Sequence, residues 1–324
     1  MKSHHYDFDL KWIVHHMGLP LLCVAIIAGT LHLGAGLLPK PRATWDMDRT
    51  IMATKADLTL RDSSADMVLI GDSSCLMNID ASQLSELTGK KVVNLGTVSF
   101  LDMKVFSTLL QRYLQSQSKP PEEILLIVHP EFLRRSTPSK SHVAWIHDYM
   151  DGRDHATNGR SWASMEYLLG VHIIRGRLLS WLPRPLSAAF GTYFGFTSDL
   201  EQYMREHQGS AVDPRNLKDA DLKGSKEYRI SSATLRSAEA FTNVIPENVK
   251  LSIALSPTPE SFADENLTPK LETILEDWKS TLKADRALTS LPLAMKDEQF
   301  ANKTHLNPES SKTYTRELSN LLAP

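Results

Sequence analysis

The stretch Asp66-Met67-Val68-Leu69-Ile70-Gly71-Asp72-Ser73-Ser74 indicates the fold more clearly than any other part of the chain. Its first half is a short apolar run, which is typical of a buried strand. Its second half is a glycine, an aspartate and two serines, which favour a turn and the start of a helix. The stretch therefore predicts a strand that turns directly into a helix.

Three further apolar runs of this kind follow along the chain, at residues 92–95, 124–128 and 249–255. Helical patterns lie between the runs, as at residues 106–114. Strands that alternate with helices usually pair in parallel, so we expect an α/β fold with a parallel sheet flanked by helices. Ligands of such sheets bind beyond the carboxyl ends of the strands, and functional residues are expected there.

Residues 133–248 form a long insertion between the third run and the fourth, which we call the departure. We expect it to form a cap over the strand ends. Within it, residues 164–182 read as a very apolar helix. We expect this helix to be buried against the main domain, and contact with a membrane surface or membrane partner is the alternative. Residues 65–132 and 249–324, which contain the four apolar runs, make up the predicted sheet domain.

An apolar segment near the N-terminus, residues 17–38, contains no Lys, Arg, Asp or Glu. As a helix it would span about 33 Å, enough for a hydrocarbon core of roughly 30 Å. Because the run is longer than the core of a signal peptide, we expect an uncleaved single-pass anchor rather than a cleaved leader. Residues 1–16 would then be a tail and 39–64 a juxtamembrane linker, in which one helix is expected through Met52 to Leu60. The flanking Lys and Arg count favours a cytoplasmic domain only weakly, since long domains cross membranes largely regardless of it.

The composition excludes several classes of protein. Lys and Arg number 36 against 38 Asp and Glu, so the chain has no overall basic field to hold a nucleic acid. With only Cys23 and Cys75, a disulfide scaffold or a thiolate metal cluster is excluded. The chain also lacks the motifs of α/β-hydrolases, P-loop proteins and dinucleotide-binding proteins, and we expect no cofactor.

A group of histidines and aspartates in the departure could bind a divalent metal, but their spacing matches no known ligand pattern. We expect a solvated polar segment there and no metal site. The residues are His142, His147, Asp148, Asp151, Asp154 and His155.

Ser73 follows the first predicted strand at the expected start of a helix. A serine at that place exposes its hydroxyl at the ligand edge of the sheet, close to the N–H groups of the helix N-terminus. Exposure and nearby donors for an oxyanion are what a nucleophilic serine needs. The alternative is that Ser73 or Ser74 only caps the helix. His305, on a polar loop before a final helix at 309–322, is the candidate base.

Three blocks together resemble those of the SGNH, or GDSL-type, hydrolase superfamily. They are Gly71-Asp72-Ser73, Asn94-Leu95-Gly96 and Asn302-Lys303-Thr304-His305-Leu306-Asn307. The resemblance covers the sheet domain and leaves out residues 133–248. It implies that Ser73 is the nucleophile, Gly96 an oxyanion donor and His305 the general base. Asn302 would stand where the family has the acid that orients the histidine.

The chain departs from the family pattern in two places. An amide at Asn302 can fix the imidazole tautomer but cannot stabilise the imidazolium by charge, which leaves Asp297 or Glu298 as alternative acids. The family's third block is replaced by His129-Pro130-Glu131-Phe132, so His129 or a backbone N–H would have to supply the missing oxyanion donor. Asp72 and Ser74 complete the residues expected around the oxyanion and substrate.

An anchor joined to such a domain resembles the proteins that work beside membrane-bound O-acyltransferases in alginate acetylation or teichoic-acid D-alanylation. The resemblance implies a periplasmic domain tethered to the cell inner membrane. It also implies an acyl group passed through Ser73 to a polysaccharide, with a membrane-bound O-acyltransferase as partner. The alternative is a catalytically silent SGNH-like scaffold or glycan-binding subunit of a membrane complex.

Overall fold

A computed structural model describes residues 10–34, 37, 46–135, 137–152, 182, 184–186, 193–215, 227–262 and 266–322. The chain divides into two compact units. One consists of Met1–Ala43 and Asp151–Leu182, and the other of Thr44–Met150 and Pro183–Pro324. The predicted apolar helix at 164–182 lies almost entirely outside the described residues.

The described N-terminal part of the first unit is helical. Helix α1 (Leu10–Ile13) continues through a π-helical turn (Val14–Gly18) into α2 (Leu19–Gly34). The stretch His16–Gly34 is long and apolar enough to cross a membrane, and 6% of its hydropathy window is buried. A helix of this length and composition suits a membrane span, and a leader near the N-terminus has the same features, so the uncleaved anchor stays a prediction.

The described residues of the second unit form the strands β1 (Met67–Gly71), β2 (Val92–Asn94), β3 (Glu123–Val128), β4 (Lys250–Leu255), β5 (Thr258–Pro259), β6 (Arg286–Ala287) and β7 (Ala294–Met295). Five of them make a parallel sheet in the order β2-β1-β3-β4-β6. All residues of β1 and β3 are buried, as in a sheet covered on both faces. This confirms the predicted α/β fold, and the four predicted runs are β1 to β4. Strand β6 consists of two residues, too few to leave a pattern.

Helices flank the sheet. Side chains of the last helix, such as Tyr314 and Leu318, share one core cluster with Leu69 and Leu125 of the sheet. The helices are α3 (Met47–Leu58), α4 (Ser73–Asn78), α5 (Ala81–Thr88), α6 (Met103–Ser116), α7 (Pro130–Arg134), α8 (Lys140–Met150), α9 (Thr197–Glu206), α10 (Ser232–Thr242), α11 (Leu267–Leu282) and α12 (Pro308–Leu322). Helix α3 corresponds to the helix expected in the linker, but it begins earlier, at Met47, and most of its residues are buried.

A glycine allows the turn from β1 into α4. Gly71 has a φ of +157°, and a Cβ atom there would lie 1.7 Å from the carbonyl oxygen of Ile127. Only glycine tolerates both the backbone angle and the contact. Gly71 also pairs with Ile127 in the parallel register, so β1 and β3 end side by side. Residues that follow the two strands are thereby brought to the same edge of the sheet.

Part of the long departure returns to this edge beside β2. The N–H of Asn94 donates to the carbonyl of Gln208 at 2.8 Å, and that of Ala211 donates to the carbonyl of Leu76 at 2.9 Å. We call residues 208–213 the acid segment because they end at Asp213. These backbone bonds fix the segment against the end of β2 and against α4, which begins at Ser73.

Candidate active site

Ser73 is the first residue of α4, and its side chain is partly exposed at the carboxyl edge of the sheet. The helix is capped by Asp72, whose carboxylate accepts hydrogen bonds from the N–H of Ser74 at 3.0 Å and from its hydroxyl at 2.6 Å. The alternative that a serine caps α4 is therefore wrong. Asp72 and Ser74 are both buried and support the turn, which leaves the hydroxyl of Ser73 available at the edge.

His305 lies against Ser73. Its Nε2 is 2.8 Å from Ser73 Oγ, although the two residues are 232 positions apart. The loop that carries the histidine is held by Asn78 of α4, whose Oδ1 accepts a hydrogen bond from the N–H of Leu306 at 2.8 Å. Helix α4 thus supplies Ser73 at its start and a support for the histidine loop at its end. The structure brings together the two residues that the sequence placed on separate blocks.

The other ring nitrogen of His305 faces a carboxylate from the departure. Nδ1 lies 2.8 Å from Oδ2 of Asp213, which is fully buried. A carboxylate at this distance holds the proton on Nδ1, and the lone pair of Nε2 then accepts the hydroxyl proton of Ser73. Ser73, His305 and Asp213 therefore have the arrangement of a Ser-His-Asp triad, in which the roles are defined by geometry rather than by sequence position.

Arg215 keeps the Asp213 carboxylate charged. Its Nε donates to Oδ1 at 2.8 Å, and its Nη2 donates to Oδ2. Burial on its own would raise the pKa of Asp213, but hydrogen bonds from Arg215 and His305 outweigh burial and hold this pKa well below the ordinary value. An ionised acid is thus present beside His305 over the whole physiological pH range.

Asn302 lies next to both the histidine and the acid. Its Oδ1 accepts hydrogen bonds from the N–H of Thr304 at 2.9 Å and of His305 at 3.2 Å, which shapes the loop. Its Nδ2 is 2.5 Å from Asp213 Oδ2 and 3.0 Å from His305 Nδ1. Because Nδ1 already carries a proton directed at Asp213, the amide donates to the carboxylate. The carboxylate that contacts the His305 ring is that of Asp213, beside Asn302. The carboxylate of Asp297, an alternative acid in the sequence, instead accepts a hydrogen bond from the N–H of Ser261 at 2.9 Å.

Gly96 occupies a crowded position behind α4. Its N–H donates to Oδ1 of Asn94 at 2.8 Å. A Cβ atom at this glycine would lie 2.6 Å from the backbone nitrogen of Leu76, so a larger residue does not fit. The N–H that the resemblance assigns to the oxyanion is therefore already engaged in this structure.

His129, which the sequence names as a candidate donor, has a buried ring N–H. Its Nδ1 accepts a hydrogen bond from the N–H of Glu131 at 3.2 Å, so the ring proton is on Nε2. This Nε2 is buried and has no hydrogen-bond partner among the described residues. Burial, reinforced by the charges of His305 and Lys303, lowers the pKa of His129 to about 3 and keeps its ring neutral. The backbone N–H of His129 contacts Asp72 Oδ2 at 3.3 Å, which ties it to the turn before Ser73.

Within the described part of the chain, no group of three or more His, Cys, Asp or Glu side chains is arranged to hold a metal ion. His142 and His147 lie on α8, where His142 Nε2 is 3.4 Å from Asp48 Oδ2. Asp154 and His155 lie outside the described residues. Cys75 is fully buried, in keeping with the core position of a small apolar residue, and burial raises the pKa of its thiol.

Asp213 is the site residue that sequence reasoning missed. The family pattern places the acid three residues before His305, and the resemblance leaves out residues 133–248. The only local signal is that a carboxylate precedes Pro214 at the end of the short apolar pair Ala211-Val212. No model of a known protein family matches the chain, and no curated protein does so.

Proposed function

We propose that the chain is a membrane-anchored serine O-acyltransferase or esterase of the SGNH type that modifies a cell-envelope polysaccharide through an acyl-Ser73 intermediate. The observation that carries the proposal is the series Ser73, His305, Asp213, linked by two contacts of 2.8 Å each. The strand order β2-β1-β3-β4-β6 supports the SGNH assignment, because it follows the doubly wound order in which ligands bind beyond the strand ends.

In the acylation half, Ser73 Oγ attacks the carbonyl carbon of the donor ester while His305 Nε2 takes the hydroxyl proton. The tetrahedral intermediate collapses with cleavage of the bond to the leaving alkoxide or thiolate. His305 returns its proton to that leaving group. The acyl group is then an ester of Ser73, and the histidine is neutral again.

In the deacylation half, His305 removes a proton from an incoming hydroxyl, which attacks the acyl-Ser73 carbonyl. A sugar hydroxyl yields the esterified polysaccharide, whereas water yields a free acid. Ser73 recovers its proton from His305 as the second tetrahedral intermediate collapses. The charged Asp213 stabilises the imidazolium that forms in both halves.

Both intermediates carry an oxyanion that needs hydrogen-bond donors. His129 Nε2 has the properties required of one of them, since it is neutral, buried and without a partner among the described residues. It would take the place of the asparagine in the family's third block.

The apolar helix His16–Gly34 supports attachment to the bilayer. A periplasmic domain on the inner membrane, a membrane-bound O-acyltransferase partner and a polysaccharide acceptor are the further parts of the proposal, and they follow from the family resemblance.

A catalytically silent SGNH-like scaffold or glycan-binding subunit is the second candidate. One observation favours this candidate: the N–H of Gly96 donates to Asn94 instead of facing an open oxyanion position. The two candidates differ in whether Ser73 is a nucleophile.

A serine-reactive fluorophosphonate probe distinguishes them. We expect the full-length protein in detergent to be labelled on the peptide that contains Ser73, and Ser73→Ala to abolish the label. Ser82→Ala, which removes a partly exposed hydroxyl of α5, serves as the matched control and should label like the wild type. A folded wild-type protein that stays unlabelled would leave the scaffold as the remaining function.

A further inference from the structure

Lys55 is a fully buried lysine in the last turn of α3. Its Nζ donates to the carbonyl oxygen of Asn94 at 2.9 Å and to that of Gly209. No carboxylate of the described residues forms an ion pair with it. A buried ammonium without an acidic partner is costly, because it loses its hydration and gains only dipoles in return. Such a residue is retained where its contacts contribute something that an apolar side chain would not.

The two carbonyls belong to the two chain segments that meet beside the site. Asn94 ends β2, and Gly209 lies in the acid segment, four positions before Asp213. Gly209 has a φ of +98°, and a Cβ there would lie 2.1 Å from the carbonyl oxygen of Asn94, so the two backbones are in direct contact. Two carbonyl oxygens that approach each other repel, and Lys55 Nζ, which directs an N–H to each of them, turns this repulsion into attraction.

Further hydrogen bonds extend the junction toward the acid. Asn94 Nδ2 is 3.1 Å from Ser210 Oγ, and the N–H of Ala81 donates to the same hydroxyl oxygen at 2.9 Å. These contacts, with the backbone bonds of Asn94 and Ala211, hold residues 208–211. Asp213 follows two residues later, so its place beside His305 depends on this junction.

We propose that Lys55 is a positioning residue for Asp213. Lys55 joins the acid segment to the end of β2 because it contacts the carbonyls of Gly209 and Asn94. The inference rests on the proposed triad and adds to it a residue from a helix outside the sequence blocks. Lys55 contacts none of the reacting atoms, so its effect on Ser73 passes through Asp213 and His305.

Removal of the Lys55 amine should loosen the acid segment. A shift of the order of 1 Å in a positioning group can cost about 10²-fold in rate, so we expect Lys55→Met to slow fluorophosphonate labelling of Ser73 by roughly 10- to 100-fold. If Asp213 is held less closely, its charge stabilises the imidazolium less. The pH midpoint of the labelling rate should therefore move to lower pH.

A double-mutant cycle with the full chain in detergent tests the proposal. In the background of Asp213→Asn, the acid contact is already lost, and Lys55→Met should change the labelling rate less than about threefold. Thr54→Val is the matched control. It alters a buried polar residue of α3 whose hydroxyl donates within the helix to Thr50 at 2.8 Å, and it should leave both the rate and the midpoint unchanged.

Lys55→Gln is made in parallel, because it keeps one donor group if Lys55→Met fails to fold. We expect an intermediate loss of rate for Lys55→Gln. Wild-type labelling together with an unmoved midpoint in folded Lys55 variants would overturn the inference and leave the triad intact. Equal losses in the presence and absence of Asp213 would also overturn it, since they would indicate a general structural role. An unlabelled wild-type protein would instead contradict the proposed function.

Discussion

His305 Nδ1 lies 2.8 Å from Asp213 Oδ2, although the two residues are 92 positions apart and come from different segments of the sheet unit. The histidine precedes the last helix, whereas the aspartate ends a segment that returns from the departure between β3 and β4. Their contact completes a hydrogen-bonded series that begins at Ser73. Because Asp213 lies in the departure, this part of the chain belongs to the candidate site and does more than connect β3 to β4.

Asp213→Asn should lower the rate of labelling at Ser73 by roughly 10²- to 10⁴-fold, because an amide cannot stabilise the imidazolium by charge. The rate constant of fluorophosphonate labelling, measured over a range of probe concentrations, provides the test. Asp297→Asn is the matched control, since Asp297 was the alternative acid in the sequence and its carboxylate contacts Ser261. Equal losses in the two variants would count against Asp213 as the orienting acid.

Asn302→Asp should lower the activity. The side-chain amide lies 2.5 Å from the Asp213 carboxylate, and a second carboxylate at that place would repel it or force one of the pair to take up a proton. We expect a loss of about tenfold or more in esterase rate near neutral pH. If Asn302 oriented His305 by itself, an aspartate would raise the rate instead. Asn307→Asp, which keeps the oxygen that accepts from the N–H of Ser310, is the control.

His129→Phe should reduce kcat for ester hydrolysis by roughly 10²- to 10³-fold and change KM little, because an oxyanion donor acts mainly in the transition state. The pKa of His129 is lowered to about 3, so the donor stays in one protonation state and the wild-type rate should show no His129 titration above pH 4. A kcat close to that of the wild type would assign the oxyanion to backbone donors instead.

Lys55 should make the stability of the protein depend on pH. Burial lowers its pKa from 10.5 to about 7 in the folded chain. Between these values the unfolded chain binds more protons, so the free energy of unfolding should rise as the pH increases from 7 to 10.5, by on the order of a few kcal/mol. Thermal unfolding in detergent at several pH values should show this rise in the wild type and less of it in Lys55→Met. An identical pH dependence in both proteins would contradict the assignment, and Lys250→Met, at an exposed position, is the control.

The sequence was sufficient to predict β1 to β4, because their apolar runs are bounded by turn residues, and to place Ser73 and His305 at the same edge. Asp213 could not be predicted, since its approach depends on the acid segment packing beside β2, far from the other blocks in sequence. The sequence predicts a helix in the linker around Lys55 but not the burial of this residue. Its burial results from tertiary contacts that leave no local pattern. The engagement of the Gly96 N–H likewise depends on the side-chain position of Asn94, which the motif alone does not specify.

The central claim is that Ser73 carries an acyl group during turnover. The most direct test is mass spectrometry of the full-length protein after incubation with p-nitrophenyl acetate and rapid acid quenching, followed by peptide mapping. We expect an acetyl group on the peptide that contains Ser73, which is lost in Ser73→Ala and strongly reduced in His305→Ala. A folded wild-type protein that hydrolyses the ester without acetylation of Ser73, or that neither hydrolyses it nor becomes acetylated, would contradict an acyl-Ser73 intermediate.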